Sequence, residues 1–253
     1  MSKPRVVLTV VLTLLGSWSN SAFSVTEDYC AQGSGALTVL LVDRTSSYDV
    51  RDKEIFANGV AGIYERLETG DRLIVHTLTD DFATSEKVFD ACRPGCRQEG
   101  LVSGLFSQCR ESAAKVADRR FLQNYLTSVK PLIDEQEEYP ASMVIETVAH
   151  LAQEYDRDKL VTLIIFSDMI EHSRMSRFIY LNSKSINSLL EKVERLGLVR
   201  PMDDVQVEIF GFGRSHGDGR DGLRPEVKQN IEEFWREYFR MAGAKSVRIG
   251  TNF

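Results

Sequence analysis

The sequence lacks the features that mark several large classes of protein. Its most apolar run, residues 6–15, is shorter than the roughly 18 residues that a membrane-spanning helix needs. No basic stripe interleaved with aromatic side chains occurs, and the formal net charge is −6. An acidic chain of this kind is a poor partner for a phosphate backbone, so we expect no nucleic-acid partner.

Common catalytic motifs are missing as well. The chain contains no G-x-x-x-x-G-K-[ST] loop, and its four histidines, His76, His150, His172 and His216, form no H-E-x-x-H pair. The stretch GFGRSHGDGRDG, residues 211–222, does not have the glycine spacing of a dinucleotide-binding turn. We therefore interpret it as a polar loop that shapes partner specificity.

The amino terminus is typical of a secretory signal peptide. Lys3 and Arg5 precede the apolar run, and Ala22 and Ser24 fit a small-residue cleavage site. Cleavage after residue 24 would remove two basic residues and no acidic ones, which changes the net charge from −6 to −8. We expect an exported protein, in a bacterial periplasm or outside the cell, with one domain over residues 25–253 and no membrane span after cleavage.

Four cysteines lie in the expected mature chain: Cys30, Cys92, Cys96 and Cys109. An even number of cysteines in an oxidising compartment predicts two disulfides, and the three possible connectivities stay open. Zinc is the alternative, but the spacing and the absence of a nearby histidine fit no common zinc framework. We expect an irregular, cysteine-rich insertion at about residues 92–110. Cys30 and Cys92 should both lie at the edge of the sheet away from any binding site.

Apolar periodicity alternates between strand and helix along the rest of the chain. Continuous apolar runs such as ALTVLLVD and LVTLIIFSD are typical of strands that are covered on both faces. Helical spacing follows them, with Gly70 and Pro131 predicted to end two of the helices. EKVFDA predicts an antiparallel edge strand. The pattern therefore predicts a three-layer, doubly wound α/β fold with a mostly parallel sheet.

Oxygen-bearing side chains follow two of the most apolar strands. Asp43 ends the first, with Thr45 and Ser47 at alternate positions after it, and Asp168 ends another. Alternate positions in an extended segment face the same side. Ligands of such sheets bind beyond the carboxyl ends of the strands. We therefore expect Asp43 and Asp168 at one shared edge, where hydroxyl and carboxylate oxygens suit a hard divalent cation.

An aspartate followed by hydroxyls two and four residues later resembles the D-x-S-x-S element of von Willebrand factor A (VWA) domains. In that family the element forms a metal-ion-dependent adhesion site (MIDAS). The resemblance implies a VWA-like fold over most of the mature chain and a protein-binding, adhesion or scaffold role rather than an enzymatic one. It also implies Mg²⁺ or Mn²⁺, with the remaining coordination position taken by an acidic residue of a partner protein. The implied ligands are Asp43, Thr45, Ser47, Ser142 and Asp168.

The site is degenerate relative to the family pattern. Thr45 replaces a serine, Ser46 replaces a glycine and Ser142 replaces a threonine, although a hydroxyl remains at each ligand position. Three alternatives stay open. The hydroxyls can simply cap the following loop, the domain can be a metal-free scaffold, or the same edge can serve a metal-dependent hydrolase. A dehalogenase-type phosphatase would need an aspartate where Thr45 stands.

Overall fold

The computed structural model of the chain describes residues 29–32, 35–45, 48–96, 109–135, 139–155, 160–213 and 223–252. Four predictions lie wholly or partly outside these segments: the signal peptide 1–24, Ser47, residues 97–108 of the cysteine-rich insertion, and residues 214–222 of the glycine-rich loop. None of the helices in the described segments combines the length and the apolar character needed to cross a membrane.

Within the described segments, six strands form one sheet in the order β3-β2-β1-β4-β5-β6. Neighbouring strands pair in parallel except β2 and β3, which are antiparallel. The strands are β1 (Leu37–Asp43), β2 (Arg72–Leu78), β3 (Lys87–Cys92), β4 (Leu160–Phe166), β5 (Gln206–Phe210) and β6 (Ser246–Ile249). This topology confirms the predicted fold class, including the antiparallel edge strand.

In the part of the chain that the structure describes, five α-helices cover the two faces of the sheet and complete three layers. They are α1 (Val50–Arg66), α2 (Glu111–Asp134), α3 (Val144–Tyr155), α4 (Ser183–Arg195) and α5 (Pro225–Met241). One apolar cluster joins α1 and α2 to one face of the sheet, and another joins α3, α4 and α5 to the opposite face. Because β1 and β4 are buried on both sides, their sequences are apolar without alternation.

Two predicted helix ends are wrong. Helix α1 ends at Arg66, and Gly70, with φ of 85°, belongs to the turn before β2. Helix α2 continues through Pro131 to Asp134. A proline lacks the backbone N–H that would bond to the carbonyl four residues earlier. In the last turn of α2 this loss removes one hydrogen bond, and the helix continues for only three more residues.

Two disulfides join the four cysteines, Cys30 with Cys92 and Cys96 with Cys109. This pairing confirms the predicted disulfides and leaves no cysteine for zinc within the described residues. Cys92 pairs in the sheet with Arg72, the first residue of β2. The Cys30–Cys92 bridge therefore lies at the edge where the parallel strands begin, as predicted, and holds the short 3₁₀ helix Tyr29–Gln32 there.

A buried hydrogen bond attaches helix α3 to the sheet. The Nε2 atom of His76 in β2 lies 2.6 Å from the hydroxyl of Tyr155, the last residue of α3. Burial lowers the pKa of His76, so the neutral ring is favoured in the fold. We expect Tyr155→Phe to lower the free energy of unfolding by about 1–2 kcal/mol, because it leaves a buried ring nitrogen without a partner.

Urea unfolding at neutral pH measures this change. Tyr180→Phe is the matched control, since the Tyr180 side chain is 71% exposed and loss of its hydroxyl should change stability by no more than about 0.5 kcal/mol. Equal stabilities of the two variants would contradict a structural role for the His76–Tyr155 hydrogen bond.

Candidate functional site

The candidate site lies where β1 and β4, the two central strands, end side by side. These strands are parallel, and Val42 pairs with Phe166 at their last shared position. Asp43 is the last residue of β1, and Asp168 follows β4 by two residues. Both side chains are buried, with exposed fractions of 0% and 5%. The sheet therefore brings the two carboxylates to the same C-terminal edge.

Hydroxyl groups surround the Asp43 carboxylate. Thr45 donates to Oδ1 from its backbone N–H at 2.8 Å and from its hydroxyl at 2.6 Å. Ser167 donates its hydroxyl to Oδ2 at 2.6 Å. The Tyr48 hydroxyl donates to the backbone carbonyl of Asp43. These contacts hold the carboxylate in one orientation. The Thr45 oxygen keeps lone pairs that can coordinate a cation.

Burial, followed by the nearby carboxylate of Asp168, raises the pKa of Asp43 to about 6 even though hydrogen bonds from Ser167 and Thr45 act in the opposite direction. Two like charges in a site removed from water repel each other strongly. In the absence of a counter-charge, this edge of the sheet therefore binds a proton more readily than an ordinary aspartate does.

Ser142 lies beside the loop that carries Asp168. Its backbone N–H donates to the carbonyl of His172, and the N–H of His172 donates back to the Ser142 carbonyl, both at 2.9 Å. The Ser142 side chain is only 5% exposed, and its hydroxyl has no hydrogen-bond partner among the described residues. A buried hydroxyl without a partner lowers the stability of a fold by roughly 1–3 kcal/mol. A cation coordinated by this oxygen would therefore stabilise the site.

The loop after β4 is held in an uncommon backbone conformation. Met169 has φ of 62°, which is strained for a residue with a side chain. Its N–H donates to the Ser167 hydroxyl at 2.9 Å, and its carbonyl accepts from Trp235 Nε1 of α5 at 2.9 Å. The N–H of Ile170 donates to Asp168 Oδ1 at 2.9 Å. A hydrogen bond from a distant helix thus holds the backbone of Met169, the residue next to Asp168.

A third buried carboxylate, Glu171, lies next to the site. Glu171 is fully buried, and its Oε2 accepts from the backbone N–H of Ile145 in the first turn of α3 at 3.0 Å. The pKa of Glu171 is raised to about 7, mainly by burial, even though its hydrogen bonds act in the opposite direction. A carboxylate at a helix amino terminus satisfies otherwise unpaired N–H groups. Glu171 therefore fixes the start of α3, two residues after Ser142.

The structure places four of the five predicted metal ligands at the C-terminal edge: Asp43, Thr45, Ser142 and Asp168. Ser47 lies outside the described residues. Ser142 precedes α3 and lies in a backbone bridge rather than opening the helix. Within the described residues, no three His, Cys, Asp or Glu side chains form a metal-ligand group, so a cation here would depend on hydroxyl donors as well as two carboxylates.

Sequence reasoning did not identify Ser167 and Glu171. Ser167 could have been predicted from the sequence, because a hydroxyl at the end of β4 can face the neighbouring strand β1, which ends at Asp43. No sequence pattern points to Glu171, since its role depends on the packing of α3 against the loop after β4. Asp80 and Asp81 lie in the turn after β2, and Asp81 caps a short 3₁₀ helix by accepting from the N–H of Ala83.

No protein-family model and no curated protein matches the chain. Solved structures similar to it at low identity include the following three. An aerotolerance-related membrane protein of Bacteroides fragilis is 12% identical, covering 85% of this chain and 92% of its own, with a TM-score of 0.40. The VWA domain of SpRpn10 is 9% identical, with coverages of 86% and 89% and a TM-score of 0.41. The conserved hypothetical protein BatB of Bacteroides thetaiotaomicron is 13% identical, with coverages of 86% and 91% and a TM-score of 0.38. Likenesses of this size carry no information about function.

Proposed function

We propose that this protein is an exported, protein-binding domain that holds a divalent cation, Mg²⁺ or Mn²⁺, at the C-terminal edge of its sheet. The observation that carries the proposal is the pair of buried carboxylates, Asp43 and Asp168, together with the Ser142 hydroxyl, which has no partner among the described residues and lies next to the loop after β4. A cation would neutralise the repulsion between the two carboxylates and would accept the Ser142 oxygen as a ligand.

The donor set suits a small, hard cation. Mg²⁺ prefers oxygen ligands in octahedral geometry and is usually bound by one or two carboxylates together with water. Asp43 and Asp168 supply the carboxylates, and Thr45, Ser142 and Ser47 supply hydroxyls. The absence of nitrogen and sulfur donors from this set disfavours zinc and copper.

Binding of an acidic partner is the chemistry that such a cation supplies. Hydroxyl ligands carry no charge, so the two carboxylates neutralise the ion without making the site anionic overall. A coordination position open to solvent can then accept a carboxylate from another protein, as the resemblance to VWA domains implies. The two disulfides support export, because such bonds form and persist in oxidising compartments.

Calorimetric titration of Mg²⁺ and Mn²⁺ into the wild-type protein and into Ser142→Ala tests the proposal. We expect saturable binding to the wild-type protein and about tenfold weaker binding to the variant, because one ligand is lost. The metal-free variant should be at least as stable as the wild-type protein, since the substitution removes an unpaired buried hydroxyl.

Ser188→Ala provides a matched serine control on the exposed surface of α4, where the hydroxyl only donates to the carbonyl of Ser185. It should bind the metal as the wild-type protein does. No heat of binding from the wild-type protein, or equal affinity in the Ser142 and Ser188 variants, would overturn the proposed cation site.

A further inference from the structure

A basic and apolar surface flanks the candidate site. The segment 172–184, which we call the basic segment, contains Arg174, Arg177 and Lys184 and no acidic residue. All three basic side chains are exposed and make no ion pair within the described part of the chain. The chain as a whole has a net charge of −6, so this surface is opposite in sign to the rest of the molecule.

The backbone connects the basic segment directly to Ser142. Ser142 pairs with His172, and His172 pairs with Arg177, so three short antiparallel segments lie side by side. The N–H of Ser173 donates to the carbonyl of Ser176 and closes the hairpin between them. Adjacent antiparallel backbones are about 5 Å apart. Arg177 therefore lies about 10 Å from Ser142 along this ladder, within reach of a partner bound at the site.

Two large apolar side chains project from the same segment. Ile179 is 44% exposed and Tyr180 is 71% exposed. They lie between two anchors, because Phe178 is fully buried against Phe234 of α5 and the Leu181 carbonyl accepts from the Asn230 side chain at 3.1 Å. The backbone that carries the exposed side chains is therefore held in place before any partner arrives, which lowers the entropy lost on binding.

We infer that the basic segment is a docking surface for an acidic protein segment that also carries an aromatic or aliphatic side chain. The inference rests on the proposed function only in placing the partner at this edge of the sheet. Arg174, Arg177 and Lys184 would attract carboxylates and fix the direction of approach, which is the main effect of charge complementarity. Tyr180 and Ile179 would cover the apolar side chain, since tyrosine and arginine are enriched at protein interfaces.

Selection from a random library of displayed peptides, followed by fluorescence anisotropy on the selected peptides, tests this inference. The full chain with both disulfides formed is the bait. We expect the selected peptides to be rich in Asp, Glu and aromatic residues. Changing Arg174, Arg177 and Lys184 to glutamine should weaken their binding about tenfold, the sum of three modest ionic contacts. Tyr180→Ser should also weaken binding.

A triple glutamine variant at Lys115, Arg119 and Arg120 of α2 is the matched control. These side chains are exposed and have the same total charge, but α2 packs on the opposite face of the sheet. Unchanged binding in this control supports the inference. Equal losses in both triple variants, or selected peptides without acidic residues, would overturn it. So would a failure to select any peptide.

Two further measurements separate this inference from the proposed cation site and from other partners. Peptide binding that depends on the basic segment but persists in chelator and in Ser142→Ala would retain the docking surface and contradict the cation site. Peptide binding that needs the cation but is unchanged in the triple variant of the basic segment would retain the cation site and contradict the docking surface. Co-sedimentation with phosphatidylglycerol vesicles, lost in that triple variant and absent with phosphatidylcholine, would overturn a protein partner in favour of a lipid surface.

Discussion

Replacing Trp235 with alanine is expected to lower the free energy of unfolding by about 4 kcal/mol, the largest change that we predict for a single substitution. Trp235 is fully buried in α5, where its ring packs against Phe178, Phe234 and Tyr238. Alanine would leave a large cavity in the cluster between α5 and the sheet, and it would remove the donor to the Met169 carbonyl. Urea unfolding measures the loss, and a change below about 1 kcal/mol would contradict it.

A milder substitution separates the effect on the site from the effect on the core. Trp235→Phe keeps most of the ring but removes the hydrogen bond to the strained Met169, the residue next to Asp168. Tyr238→Phe is the matched control, because it also removes one hydrogen bond from a buried aromatic residue of α5, here to the Leu198 carbonyl. If α5 holds the Asp168 loop in place, Mg²⁺ affinity should fall severalfold in the first variant and stay unchanged in the second.

Replacing Asp43 with asparagine is expected to stabilise the metal-free protein at pH 7.5 by up to about 3 kcal/mol. The folded-state pKa of Asp43 is raised to about 6 from an ordinary value of 3.8, and each unit of difference corresponds to about 1.4 kcal/mol. A raised folded-state pKa means that the contribution of Asp43 to stability is fully present below about pH 4 and is lost as the pH rises through 6. Asparagine is neutral at every pH, so the advantage of the variant should disappear near pH 4.

Added metal should make the wild-type protein more stable than the Asp43→Asn variant, the reverse of the order without metal. Mg²⁺ at about one hundred times its dissociation constant would stabilise the wild-type protein by about 2.7 kcal/mol, whereas the variant lacks a carboxylate ligand and should gain nothing. Urea unfolding at pH 4 and at pH 7.5, in chelator and in Mg²⁺, gives all the required comparisons. A variant that is less stable than the wild-type protein in chelator at pH 7.5, or that is equally stabilised by Mg²⁺, would contradict the prediction.

The fold was predictable because the strands and helices of this chain have clear periodicities. The central strands β1 and β4 are continuous apolar runs, and buried parallel strands need that composition. Helix ends were less predictable, since local signals compete there with packing. Gly70 and Pro131 both looked like terminators, but one lies beyond the end of α1 and the other lies inside the last turn of α2.

Only part of the candidate site could be predicted, because its residues meet by different means. Asp43 and Asp168 come together through the pairing of β1 with β4, and a sequence can suggest such pairing. The contacts that orient them depend on packing between distant segments, for example Trp235 with Met169 and Glu171 with Ile145. No short sequence pattern encodes these contacts, because each depends on the angle at which a helix crosses the sheet.

The Cys30–Cys92 bridge also determines from which side the domain can be tethered. It fastens the segment at Tyr29–Gln32 to the edge where the parallel strands begin, while Asp43 and Asp168 lie at the other end of those strands. An affinity tag attached before residue 29 would therefore hold the domain by the end of the sheet opposite Asp43 and Asp168. Capturing the protein on a sensor chip through such a tag would orient the candidate site and the basic segment towards the solution that carries the analyte.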